Sequence, residues 1–281
     1  MNYRHAFHAG NFADVLKHAV LALLIERLKE KDKPFAVLDT HGGLGLYDLF
    51  AAEALKTGEA ESGIRRLLAH PAPHPALAPY LAAVASANEG GDGPPRFYPG
   101  SPRLVRALLR PGDRLTVCEL HPVDAATLTA EFRGDPQVRV REGDGWTEIR
   151  AQLPPAERRG LALVDPPFEA PGEFQRLHRA LREGHRRFAT GQFLLWYPIK
   201  DRREVEAFHR DLRAGDIRRI LAVELRVRSD KDVTVLSGSG LVLVNPPWKM
   251  EEALAGLLPW LAEALAQEPG GGFRLDWLVP E

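Results

Sequence analysis

The stretch Gly160-Leu161-Ala162-Leu163-Val164-Asp165-Pro166-Pro167-Phe168 decides how this chain is read. Its first half is apolar without alternation, the pattern of a strand covered on both faces in a parallel sheet. Its second half ends that strand at a carboxylate. The two prolines lack N–H donors and stiffen the turn that follows. Such a strand presents one acid and one aromatic ring at its tip.

Outward from it, strand-like runs at 35–39, 115–119, 138–141, 161–165 and 193–197 alternate with helical patterns such as 122–132 and 174–187. The alternation predicts an α/β, Rossmann-like fold, a parallel sheet with helices on both faces. An amphipathic helix is expected over 12–30, behind a tail rich in aromatic and histidine residues. Near the C-terminus, 220–228 and 240–245 read as a closing hairpin at one sheet edge, followed by a helix over 251–266.

From 46 to 99 the alternation breaks. Helical patterns at 46–54, 63–69 and 77–87 lead into the turn-rich Gly90-Gly91-Asp92-Gly93-Pro94-Pro95. No strand is expected between Asp39 and Arg114, although a simple strand–helix–strand unit needs only about 30 residues. The chain therefore divides into 1–45 (tail, helix, first strand and glycine loop), an inserted helical subdomain at 46–100, and 101–281, which completes the sheet domain.

With 281 residues, 44% hydrophobic and 27% charged, the composition is that of a globular protein able to bury about three quarters of its unfolded surface. A net charge of −1 argues against a uniformly basic surface, yet a local basic patch suffices to hold phosphates. The single cysteine, Cys118, excludes an internal disulfide and, inside Leu115-Thr116-Val117-Cys118-Glu119, reads as a packed thiol. No run approaches the ~20 apolar residues of a bilayer span and no signal-peptide pattern opens the chain, so the cytoplasm is the expected location. Histidines and carboxylates lack metal-ligand spacing, and no metal is expected.

The strand tips carry the chemistry. The run at 35–39 enters Thr40-His41-Gly42-Gly43-Leu44-Gly45, a turn through which backbone can approach a ligand, and then a helical pattern. The next strand ends in Glu119, suited to both hydroxyls of a ribose. The third ends at Glu142-Gly143-Asp144-Gly145, where Asp144 can accept from an adenine amino group, and the fourth at Asp165. Open α/β sheets bind ligands along that edge. The glycine loop lacks full G-x-G-x-x-G spacing, and nicotinamide enzymes have no use for Asp-Pro-Pro-Phe. S-adenosylmethionine, which has adenine and ribose but no phosphate, fits better.

Asp165 and the Pro166 carbonyl can accept the two N–H groups of an exocyclic amine and aim its lone pair, while Phe168 stacks on the base. Asn245-Pro246-Pro247-Trp248 repeats the pattern after Leu241-Val242-Leu243-Val244. Strand order assigns the reaction to Asp165, beside the cofactor strands. Asn245 ends a late strand near the sheet edge, where it shapes that edge or an RNA surface.

Tyr3-Arg4-His5-Ala6-Phe7-His8-Ala9-Gly10-Asn11 with Asp14-Val15-Leu16-Lys17-His18 resembles the start of the RlmJ family, 23S ribosomal RNA adenine-N6 methyltransferases. Asp39-Thr40-His41, Tyr98-Pro99-Gly100-Ser101-Pro102, Glu119-Leu120-His121-Pro122, Asp165-Pro166-Pro167, Trp196-Tyr197-Pro198 and Asn245-Pro246-Pro247-Trp248-Lys249 extend the likeness over nearly the whole chain. The resemblance implies a Rossmann-like methyltransferase fold with an inserted helical subdomain, and methylation of the family's target, adenine 2030 of 23S rRNA. It implies S-adenosylmethionine contacts at His18, His41, Ser101, Glu119, Asp144 and Gly145, Asp165 as the catalytic residue, and Tyr3, His5 and Lys17 at the RNA. A cytoplasmic monomer with 23S rRNA as partner is expected. Phe168 stands where relatives often carry tyrosine, which keeps the stacking face and loses one hydroxyl.

Other readings compete. A DNA adenine-N6 methyltransferase would share the site chemistry, and a silent RNA-binding protein could retain the pocket as scaffold. The tail could be an ordinary frayed terminus. Lys17 and His18 could lie on a surface helix face, and His41 could cap a helix. Arg176, Arg179, Arg182 and Arg186 recur at helical spacing, as a solvated face or as an RNA-backbone track that Arg65, Arg66, Arg158, Arg159, Lys200, Arg202 and Arg203 would extend.

Overall fold

The computed structural model describes residues 5–88 and 94–281, so Tyr3 and the glycine-rich stretch at 90–93 lie outside the described residues. Helix α1 (Phe12–Lys29) starts where the Asn11 side chain accepts from the N–H groups of Ala13 and Asp14. The helix is buried on nearly every side, Lys17 and His18 included, rather than amphipathic. Strand β1 (Ala36–Asp39) follows.

After the glycine loop the chain departs from expectation. Instead of a helix it forms β2 (Leu46–Asp48), which pairs antiparallel with β3 (Phe97–Pro99). The helices α2 (Ala52–Thr57), α3 (Glu59–Ser62), α4 (Ile64–Leu68) and α5 (Ala78–Ser86) lie between these two strands. The predicted helix over 46–54 and the predicted absence of strands between Asp39 and Arg114 are therefore corrected. Leu46-Tyr47-Asp48 has no strand pattern of its own. Its conformation comes from a partner some fifty residues on, held in turn by the Asn88 side chain against Phe97 at 2.8 Å in both directions. The crossover to the next sheet strand is made by α6 (Ser101–Leu108).

The remainder runs β4 (Arg114–Glu119), α7 (Pro122–Glu131), β5 (Val138–Glu142), α8 (Gly145–Gln152), β6 (Gly160–Val164), α9 (Glu173–Arg187), β7 (Gln192–Ile199), α10 (Arg202–Arg213), β8 (Ile220–Arg226), β9 (Gly238–Val244), α11 (Met250–Ala264) and β10 (Gly272–Val279). The eight-stranded sheet has the order β10-β8-β9-β7-β6-β1-β4-β5. Strands β7, β6, β1, β4 and β5 are parallel, whereas β9, β8 and β10 join antiparallel. The β8–β9 hairpin is thus internal, not an edge as expected. The edge is β10, whose half-exposed residues and charged Arg274 and Asp276 mask the strand pattern in sequence.

Helices α1, α5, α6 and α11 cover one sheet face and α8, α9 and α10 the other, with a separate apolar core on each side. The five residues of β6 are all buried. Cys118 is a buried free thiol pushed up to about 12 by burial. No helix among the described residues is long and apolar enough to cross a membrane.

Candidate active site

A cavity of about 910 Å³ opens at the C-terminal edge of the parallel strands, where β1, β4, β5 and β6 each end in a polar group. The β4 tip is built first. Glu119 accepts from Gly43 N–H through Oε2 and from His121 N–H through Oε1, both at 2.8 Å, which fixes a buried carboxylate toward the glycine loop. Asp144 caps α8, its Oδ1 accepting from Trp146 N–H at 3.0 Å. Gly145 is required there: a Cβ would meet the Thr40 carbonyl oxygen at 1.9 Å, so only glycine lets the β5 and β1 loops close on each other.

Beneath the glycine loop Ser101 donates to Asp39 at 2.6 Å. Burial pushes the Asp39 carboxyl up to about 6. His41 shares a 2.8 Å hydrogen bond with the Thr40 hydroxyl and meets the Trp146 ring edge-to-face. No helix follows this loop, so the capping reading of His41 falls away. His18 is buried, stacks on Tyr98 and bonds its hydroxyl through Nδ1 at 2.7 Å, which leaves Nε2 enclosed and without a partner. Burial brings both imidazoles down to about 3, so they are neutral.

The β6 tip faces α1. Lys17 Nζ lies 2.5 Å from Asp165 Oδ2 and 2.9 Å from Asp14 Oδ1. Burial opposes the ammonium charge, but the two carboxylates outweigh it and hold the group above its ordinary value. Asp14 also accepts from His5 Nε2 and Gly10 N–H, each at 2.9 Å, and its neighbours hold it well below the usual carboxylate range despite burial. Phe168, at φ 51°, meets Phe174 and Trp196 edge-to-face with centroids 4.9 and 5.6 Å away. Pro166 is buried in the same wall.

His5, Lys17, His18, His41, Ser101, Glu119, Asp144, Gly145, Asp165, Pro166 and Phe168 thus all line one cavity, while Tyr3 lies outside the described residues. Sequence reasoning gave no role to Asp14 or Asp39. The three-residue spacing of Asp14 and Lys17 on a helix was a readable sign of a pair. It also missed Trp196 and the Glu59 clamp on His8 and Asn11, at 2.8 and 2.9 Å.

Two placements need correcting. Asn245 ends β9, which runs antiparallel to β7, so it sits at the opposite sheet edge from the cavity and not at a lateral edge. Its amide donates to the carbonyls of Ala189 and Gly191, both at 2.8 Å, so it ties down the turn before β7. Arg158 and Arg159 stand at that same far edge, where Arg159 holds the carbonyls of Leu28 and Lys33. Arg202 is committed to Glu224 at 2.7 Å. Among the described residues no group of three or more His, Cys, Asp or Glu side chains is arranged to hold a metal.

A doubly wound sheet whose strand tips converge on acidic groups and an Asp-Pro-Pro-Phe turn defines a Rossmann-like methyltransferase. The family model described as "Ribosomal RNA large subunit methyltransferase D, RlmJ" matches residues 32–279. The chain is 45% identical to ribosomal RNA large subunit methyltransferase J of Escherichia coli K12 and 43% identical to that of Haemophilus influenzae, over the full length of each. A crystal structure of a Legionella pneumophila protein superposes with a TM-score of 0.87 at 32% identity, covering 96% of this chain and 98% of that one. The chain belongs to the RlmJ family of ribosomal RNA large subunit methyltransferases.

Proposed function

We propose that the protein uses S-adenosylmethionine to methylate N6 of one adenine in 23S rRNA, the family site adenine 2030. The observation that carries this reading is the Asp165 carboxylate, held by Lys17 in the same cavity wall as Glu119 and Asp144.

The donor set fits the cofactor. Both Glu119 oxygens keep acceptor capacity for ribose hydroxyls beyond their backbone bonds, since each carboxylate oxygen can accept twice. Asp144 has a second oxygen for the adenine amine. With Tyr98 donating to Nδ1, the unpartnered His18 Nε2 carries the proton and is a donor for a carboxylate. His41, Ser101 and Gly145 complete that half. When bound, S-adenosylmethionine supplies an electrophilic methyl group on a sulfonium.

Asp165 and the Pro166 carbonyl accept the two N–H groups of the target amine and direct its lone pair. Lys17 pairs with the Asp165 carboxylate, which acts as an acceptor, and His5 supports the assembly through Asp14. Tyr3 and Phe168 hold the base. Extruding the base costs a few kcal/mol, of which stacking on Phe168 returns about 1–3 kcal/mol. Orientation can contribute roughly 7–11 kcal/mol of the barrier reduction. The domain division at 46–100 serves the site by carrying Glu59 against the N-terminal segment. The protein acts as a monomer in the cytoplasm on rRNA.

The test is labelled-methyl incorporation into protein-free 23S rRNA and into duplex DNA, with mass mapping of the product. A single N6-methylated adenine in the rRNA is expected; preference for DNA would overturn the substrate reading.

A further inference from the structure

We propose that the exposed face of α9 is a track for the phosphates of the RNA strand flanking the target adenine. The proposal rests on the rRNA reading above and adds where the backbone runs. Arg176, Arg179, Arg182 and Arg186 follow one another at spacings of three, three and four residues, and all are exposed. Between the first and the last the helix rises about 15 Å. Over that length one strand of a duplex presents about four phosphates.

What distinguishes these arginines is their clustering on one helix face, since Arg133, Arg139 and Arg218 are likewise unpaired among the described residues. Among the described residues none of the four has a side-chain hydrogen bond or an ion pair. Arg65, Arg202, Arg203, Arg219 and Arg274 each hold a carboxylate. Glu183, the acid on the same helix face, is paired with Arg150 at 3.6 Å. Like charges three and four residues apart weaken a helix. The fold bears that repulsion in a chain whose net charge is only −1, and an external polyanion relieves it.

Position names the polyanion. Arg176 lines the cavity beside Phe168, and Lys200, exposed at the end of β7 and unpaired among the described residues, lines it too. The stripe therefore begins where the extruded base enters and runs away from it along α9. Phosphates leading out of the base site fit that course better than an acidic protein face would.

The test is the variant Arg179→Gln/Arg182→Gln/Arg186→Gln, which spares the cavity-lining Arg176 and keeps good helix formers. Its control is Arg133→Gln/Arg139→Gln, two exposed arginines, one following α7 and one on the edge strand β5. Binding to protein-free 23S rRNA transcript is measured against salt, and methylation against RNA concentration. The triple variant should flatten the slope of log K against log salt by about 2–3. KM for RNA should rise tenfold or more while kcat stays within twofold, and the control should match the unaltered protein. An unchanged slope in the triple variant overturns the track, as does a fall in kcat at unchanged KM. If the unaltered protein methylates no rRNA, the proposed function fails, and the salt slope still decides the track.

Discussion

Two turns in this chain read almost alike, Asp165-Pro166-Pro167-Phe168 and Asn245-Pro246-Pro247-Trp248, and each closes a fully buried strand. They nevertheless stand at opposite edges of one sheet. Strand β6 runs with β1 and delivers Asp165 to the cavity, whereas β9 runs against β7 and delivers Asn245 to the far edge. Asp165 meets a buried ammonium. Asn245 meets two backbone carbonyls, and its aromatic neighbour Trp248 is 82% exposed, with no ring stacked on it among the described residues. A tetrapeptide acquires chemistry from strand direction and from what faces it.

The largest expected effect tests that contrast directly. Asp165→Ala should lower methyl transfer to 23S rRNA roughly 10³-fold or more while leaving the protein folded, because Lys17 retains Asp14. Adding Asn245→Asp should restore nothing. Recovery of activity in that double variant would break the comparison.

Next comes the charge facing Asp165. Lys17→Met leaves the buried Asp14 and the partly buried Asp165 without their shared cation, at a cost of about 3–5 kcal/mol. Thermal unfolding should show a fall in Tm on the order of 10 °C. A shift of less than a degree would mean that the ion pair does not hold this edge.

Asn245→Ala should cost only about 1–2 kcal/mol, the loss of two neutral hydrogen bonds, with kcat for methylation unchanged. A large fall in kcat would give the second turn a part in the reaction.

The smallest effect separates the two edges by pH. His8 is raised above its ordinary 6.5, chiefly by its hydrogen bond to Glu59, so its contribution is complete below 6.5 and fades as pH rises through the raised value. Glu59 is lowered below its ordinary 4.5: burial opposes the charge, and the bonds from His8 and Asn11 outweigh it. Its contribution is present above 4.5 and fades as pH falls through the lowered value. Glu59→Gln should therefore destabilise most between about 4.5 and 6.5, by up to about 1 kcal/mol for this half-exposed pair. The loss in Asn245→Ala should be flat with pH, since amide and carbonyl do not titrate. Paired Tm–pH curves check both.

Much of this was legible in the residue order. Apolar runs bounded by polar tips gave β1, β4, β6 and β7 within a residue or two, because a strand buried on both faces leaves a continuous hydrophobic signature, while the part-exposed edge strand β5 shows only alternating valines. The short β2–β3 ribbon and the edge strand β10 were not legible. The first exists only through pairing across some fifty residues, and the second is half solvated, so neither leaves a local pattern.

Sequence alone determined the class of sheet, the acidic tips at Glu119, Asp144 and Asp165, and the family, since these depend on residue identity and local period. Only the tertiary structure decided that Lys17 is a buried counter-ion and not a surface cation, that Asp14 lines the cavity while Asp39 backs it through Ser101, and which of two similar turns faces it. Burial, ion pairing and strand direction are relations between segments far apart in the chain, and no single segment encodes them.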